Sequence, residues 1–187
     1  MLRPIYLGLR GLMFLSSLTI LALAAVMIKN QVYDAAPVTT RYSTFTGGFG
    51  MIVGVIGAIC AFVSFVPDLV PIALDGLAGL FFLGGGIAWA YGLKNTSNCS
   101  DYRNMLENGL LNQGSIKLPD GTAYGVIKPD DRNADAADRL KGNCQRAQAD
   151  EILQFLCFGM ASALVLLGFF QMRRGGVGKG RTGAYVA

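Results

Sequence analysis

Four stretches of this chain are apolar almost without interruption: roughly residues 5–28, 49–66, 70–93 and 152–172. Crossing ~30 Å of hydrocarbon at 1.5 Å per residue takes about 20 residues of helix, and all four runs are near that length. Lipid cannot satisfy free backbone groups, so a span is a helix or part of a closed barrel. Runs this long, without the short alternation of barrel strands, predict helices. The first run follows Arg3 and contains Arg10, which raises the alternative of a signal peptide. It continues to Ile28 and lacks a small-x-small cleavage pattern before Lys29, so it reads as a retained span.

The connections are unequal. "PDL" joins the second and third runs as a tight hairpin, and "KNQVYDAAPVTTRYSTFTGG" joins the first and second as a moderate loop. Residues 94–151 separate the third and fourth runs, and this loop has its own local signals. "SDYRNMLENGLL" opens on a Ser or Asp cap and carries Tyr102, Met105, Leu106 and Leu110 at helical spacing. "SIKLPDGTAYGVIK" places two short alternating pieces around Pro119-Asp120-Gly121, a hairpin signal. "PDDRNADAADRLKGNCQRAQADEI" is rich in Ala and charge and reads as helical on either side of Gly142, leading towards the fourth run. The expected fold is therefore an all-α membrane protein. A four-helix transmembrane bundle (1–172) carries a long, partly folded loop (94–151), and a basic, Gly-rich, disordered tail (173–187) follows it.

Charge supports this picture and orients it. Between Phe49 and Leu93 the only formal charges are Asp68 and Asp75, and between Ile152 and Met172 there are none. The whole chain of 187 residues is 52% hydrophobic with a mean hydropathy of +0.44, unusual for a soluble domain. Basic residues flank the termini (Arg3, Arg10, Arg173, Arg174, Lys179, Arg181), while the long loop balances eight basic against nine acidic residues. The positive-inside rule then puts both termini in the cytoplasm and both larger loops outside. The net charge of +4 does not indicate nucleic acid, because the excess sits at span ends with no basic-aromatic surface stretch.

Cysteine usage follows from that orientation. Cys99 and Cys144 sit at the two mouths of the long loop, on the oxidising side, where disulfides persist. A Cys99–Cys144 bond is expected to brace the loop, the alternative being two free thiols. Cys60 and Cys157 fall inside spans and read as packing residues. With no histidine and no CxxC, neither a zinc site nor any other metal or cofactor is expected. No nucleophile–base pair or paired carboxylates appear, so the chain does not read as an enzyme. Asn95-Thr96-Ser97 and Asn98-Cys99-Ser100 are formal glycosylation sequons, but both crowd the membrane surface.

Two features inside the spans stand out. Asp75 lies about one turn into the third run and Arg10 at a similar depth in the first, so an intramembrane pair would neutralise both; the alternative is an ion or proton relay through Asp75. Glycines are dense, and Gly50, Gly54, Gly84, Gly85 and Gly86 suit either helix packing within the bundle or contacts between copies.

Three stretches together resemble the MARVEL-domain tetraspans, in the fungal branch related to the non-classical export proteins. They are "YLGLRGLMFL" with Arg10; "ALDGLAGLFFLGGGIAWAYGL" with Asp75 and Trp89; and "CQRAQADEILQFLCF", with Cys144, Gln148, Ala149 and Asp150 leading into the last helix. The resemblance covers nearly the whole chain. Claudins fit less well, since their paired cysteines belong in the first external loop, which here has none. The resemblance implies a membrane organiser of the plasma membrane or secretory vesicles, one that associates with lipids, with copies of itself and with other membrane proteins. Two further readings are an accessory subunit of a larger transporter or synthase, and a channel or carrier using Asp75.

Overall fold

The computed structural model describes residues 2–60, 69–96, 98–127 and 133–175. Within them the chain forms α1 (Leu2–Lys29), α2 (Val38–Cys60), α3 (Leu69–Leu93), α4 (Tyr102–Glu107), β1 (Ser115–Leu118), β2 (Gly121–Tyr124) and α5 (Asn133–Gly175). Four helices are long and apolar enough to cross a membrane: α1, α2, α3 and α5. They run up, down, up and down, with the start of α1 and the end of α5 at one end of the bundle and the connections 30–37 and 98–127 at the other. The closest packing is between α1 and α2 and between α3 and α5.

Prolines mark two helix starts. Pro4 and Pro71 stand in the first turns of α1 and α3, where the missing N–H would have had no partner in any case. α2 starts eleven residues before its apolar run, at Val38 rather than Phe49. The polar segment "VTTRYSTFTGG", expected as loop, is helical because Thr40, Ser43 and Thr46 turn inward, where Ser43 and Thr46 hydrogen-bond. The remainder of the second run, 61–66, and the expected tight turn at 67–68 lie outside the described residues, as does the tail beyond Gly175.

α5 is the other departure in length. Its 43 residues continue straight through Gly142 as one helix, ~64 Å at 1.5 Å per residue. That is about twice the hydrocarbon thickness, so its first part stands clear of the membrane. The rest of the loop gathers around it. Asp101 caps α4 by accepting from the Arg103 and Asn104 amides. β1 and β2 pair antiparallel, with Ile116 opposite Ala123 and Leu118 opposite Gly121. This cap has its own apolar core, in which Met27, Trp89 and Leu93 from the bundle meet Met105, Leu111, Val126, Leu140 and Ala147. A second core inside the bundle holds Met13, Ile20, Val53, Ala78, Phe82 and Leu164.

Candidate functional site

Polar chemistry inside the bundle is concentrated at its two ends. Near the chain termini, Arg10 Nη1 donates to Asp75 Oδ1 at 2.5 Å and Nη2 donates to Oδ2 at 2.6 Å. Nη2 also donates to the Tyr6 hydroxyl at 2.6 Å, and the guanidinium lies 4.9 Å from the centre of the Tyr6 ring. Both charged residues are fully buried. Space for the guanidinium comes from Gly57 on α2, where any Cβ would collide with it. Three helices therefore build this site: α1 supplies the cation, α3 the anion and α2 the gap. Both oxygens of Asp75 are occupied by Arg10, a geometry suited to a structural pair and poorly suited to a relay.

At the opposite end lies a network that sequence reasoning did not anticipate. The Ser43 hydroxyl sits 2.7 Å from each oxygen of Asp150 and donates to that carboxylate. Gln154 Nε2 is 2.8 Å from Thr46 Oγ1, 3.1 Å from Ser43 Oγ and 3.3 Å from Asp150 Oδ1. Thr46 Oγ1 donates to the Ser43 carbonyl at 3.0 Å. The Trp89 indole N–H faces the same carboxylate, outside good hydrogen-bond geometry. Gly85 makes room for Gln154, whose Oε1 would lie 2.7 Å from a Cβ there. The only trace of this network in the sequence was the run of Thr and Ser before Phe49, spaced at 40, 43 and 46 on one helical face. Asp150 stood out only as part of the lead-in to the last helix.

Above this network the cap is fixed to the bundle covalently and by backbone bonds. Cys99 and Cys144 form a disulfide, with Cα atoms 5.7 Å apart, joining the end of α3 to the outer part of α5. Cys60 and Cys157 are free thiols. The Asn108 side chain donates to the Gly92 carbonyl at 2.9 Å, and Asn143 donates to the Leu111 carbonyl at 2.9 Å. The α1–α2 connection joins in, since the Val32 and Tyr33 amides both donate to the Gln113 carbonyl. That contact requires a close approach at Gly114, whose φ is +91° and whose Cβ position is filled by the Tyr33 carbonyl.

Of the two readings of the span glycines, packing within the bundle and contacts between copies, four of the five positions fit the first. Gly50 faces Ser17 and Phe82, Gly54 faces Phe14, Gly85 faces Gln154, and Gly86 faces Phe155. All four are buried, so they let the helices of one bundle approach each other and are not turned to lipid. Gly84 is exposed, yet a Cβ there would stand 3.3 Å from the Tyr42 hydroxyl. The glycines with open space around them are others, among them Gly8, Gly11 and Gly159.

Among the described residues no group of His, Cys, Asp and Glu is arranged to hold a metal ion. The polar groups that do cluster are tied to one another. A family model described as the membrane-associating domain MARVEL matches residues 3–167. The chain belongs to the MARVEL family. No curated protein and no solved structure matches it. The match takes in α1 to α4, the hairpin and most of α5, so cap and bundle both fall inside the MARVEL domain. This MARVEL chain is thus an integral membrane protein with four membrane-spanning helices, in a family of generally non-enzymatic structural membrane proteins.

Proposed function

We propose that this MARVEL protein organises membrane domains by associating laterally with copies of itself, through the cap, while its spans contact lipid. Its termini lie in the cytoplasm and its cap outside the plasma membrane or facing a vesicle lumen. Basic residues at the chain ends and a disulfide in the cap support that orientation.

The observation that carries the reading is apolar surface on the cap. Ile116 and Leu118 share one face of the hairpin and are 37% and 52% exposed; Val32 and Ile127, near the hairpin base, are 54% and 44% exposed. Apolar side chains on the spans face lipid and need no other partner, but on the cap they face water. Exposed apolar clusters outside the bilayer mark contact surfaces. The scaffold beneath is held by a disulfide and backbone hydrogen bonds, so little ordering entropy is lost on association. A two-stranded hairpin is marginal alone in water, and covering its apolar face would add to its stability.

Single-molecule bleaching of tagged protein at native expression tests the proposal. Multi-step bleaching is expected for the wild type, and a shift to single steps for Ile116→Ser/Leu118→Ser. Monomers throughout would refute it, and a fixed complex with one different protein would favour an accessory subunit instead.

A further inference from the structure

Ser43 and Asp150 meet in a way that a hydroxyl and an ionised carboxylate do not explain. Ser43 Oγ stands 2.7 Å from both oxygens of Asp150, the usual length of an O–H···O bond in each case. A hydroxyl carries one hydrogen, which can align with one oxygen at that length and not with two. A carboxylic acid supplies the missing hydrogen. It donates from one oxygen to Ser43 Oγ, while the Ser43 hydroxyl donates back to the other, closing a ring of two bonds. Ser43 Oγ also accepts from Gln154 Nε2 at 3.1 Å, so its hydrogen and both lone pairs are then used.

The surroundings favour the same form. Asp150, Ser43, Gln154 and Trp89 are all fully buried. Unlike Asp75, Asp150 has no cation paired with it among the described residues. α1 carries no titratable side chain between Ser16 and Ile28, and Lys29 at its end is exposed. On α2, Arg41 is exposed and the Tyr42 hydroxyl donates to the Phe81 carbonyl. Just past α3, Lys94 is exposed and lies over the Tyr91 ring. On α5, Arg146 donates to Asn143, while half-buried Glu151 and the buried thiol of Cys157 offer no positive charge. Asp150 precedes the fourth apolar run by two residues, on the cap side of the membrane-spanning part. Burial pushes its carboxyl up from an ordinary 3.8 to about 6, against the pull of the neighbouring hydrogen-bond donors.

We infer that Asp150 binds a proton reversibly, and that this makes the junction between cap and bundle sensitive to pH. The network ties α2 to α5, and Trp89, which faces it, belongs to the apolar core of the cap. The folded chain holds the proton more tightly than the unfolded chain. The stability this contributes is complete below about pH 4 and is lost as pH rises through about 6. The proton then passes to water on the cap side. It leaves a buried carboxylate whose second contact with Ser43 sets lone pair against lone pair.

Infrared difference spectroscopy of the full chain in lipid nanodiscs, between about pH 5 and about pH 8, reads the carboxylic acid directly. The wild type is expected to lose an acid carbonyl band with a midpoint near 6. Asp150→Asn should lack that band, and Glu151→Gln should keep it. Over the same range the melting temperature of the wild type should fall as pH rises. Asp150→Asn should melt at one temperature throughout, because its amide donates to Ser43 Oγ and its carbonyl accepts from the hydroxyl in the same ring. A wild type that loses no acid band overturns the inference without recourse to any variant. So does a melting temperature that falls equally in the wild type and Asp150→Asn. Neither reading depends on whether copies associate.

Discussion

Arg10 and Asp75, 65 positions apart in the chain, meet as a two-pronged ion pair, with each Nη of the guanidinium donating to a different carboxylate oxygen. Removing either partner leaves the other charge buried alone. Asp75→Leu and Arg10→Leu should each destabilise the bundle by about 3–5 kcal/mol, whereas the double replacement should recover much of the loss, since apolar substitutes for a buried pair are often neutral or better. Thermal melting in detergent across the four proteins checks this. Single variants that melt like the wild type would mean the pair contributes nothing.

The Ser43–Asp150–Gln154–Thr46 network ties α2 to α5 at the loop end. Asp150→Ala removes the acceptor and leaves the Ser43 hydroxyl buried with a weaker set of partners. A loss of about 1–3 kcal/mol is expected, the usual penalty for an orphaned buried polar group. Ser43→Ala should cost less than Asp150→Ala, since Gln154 still reaches the carboxylate. Equal melting temperatures for wild type and Asp150→Ala would show that the network is incidental.

Glycine positions separate by what surrounds them. A Cβ at Gly47 would stand 2.7 Å from the backbone nitrogen of Leu21, and backbone cannot step aside. At Gly54 the nearest atom is Phe14 Cβ at 3.4 Å, an ordinary contact. Gly47→Ala should therefore cost about 1–3 kcal/mol as overpacking. Gly54→Ala should change stability by less than about 1 kcal/mol, because easier packing of the helix backbone offsets a mild squeeze. Gly54→Leu, which enters the α1–α2 interface, should perturb the monomer itself. Melting temperatures that rank Gly54→Ala below Gly47→Ala would contradict the packing described.

How much of this was legible in the sequence depends on the kind of signal. The four spans follow from apolar run length, and the Arg10–Asp75 depth match follows from their register. The hairpin at 115–124 follows from Pro-Asp-Gly turn chemistry. The early start of α2 did not show, because Thr40, Ser43 and Thr46 look like loop residues until the bundle buries them and gives Ser43 and Thr46 partners. Glycine direction was equally hidden, since 3.6-residue spacing defines a face without saying whether that face meets lipid or a neighbouring helix. The Val32–Gln113 contact joins two loops 81 positions apart through backbone atoms, which carry no sequence signature at all.

The disulfide braces the cap, and on the proposed reading it also holds the surface through which copies would meet. Cys99 and Cys144 are 45 residues apart, and chain-entropy arguments assign about 4 kcal/mol to closing a loop of that length. Cys99→Ala/Cys144→Ala should lower the melting temperature of the cap while leaving the spans helical, because the bundle core around Met13, Phe82 and Leu164 does not touch the bond. Non-reducing peptide mapping of the wild type should recover Cys99 and Cys144 linked and Cys60 and Cys157 alkylated. If the cap is the surface through which copies meet, the same double variant should also lose multi-step bleaching, because Ile116 and Leu118 would no longer be held on a fixed platform. Confinement to a bilayer raises the effective concentration of copies, so even a weak cap contact would assemble in the intact protein. Retention of full assembly after the disulfide is removed would place the contact on the spans instead, where the open glycines Gly8, Gly11 and Gly159 are the positions to substitute next.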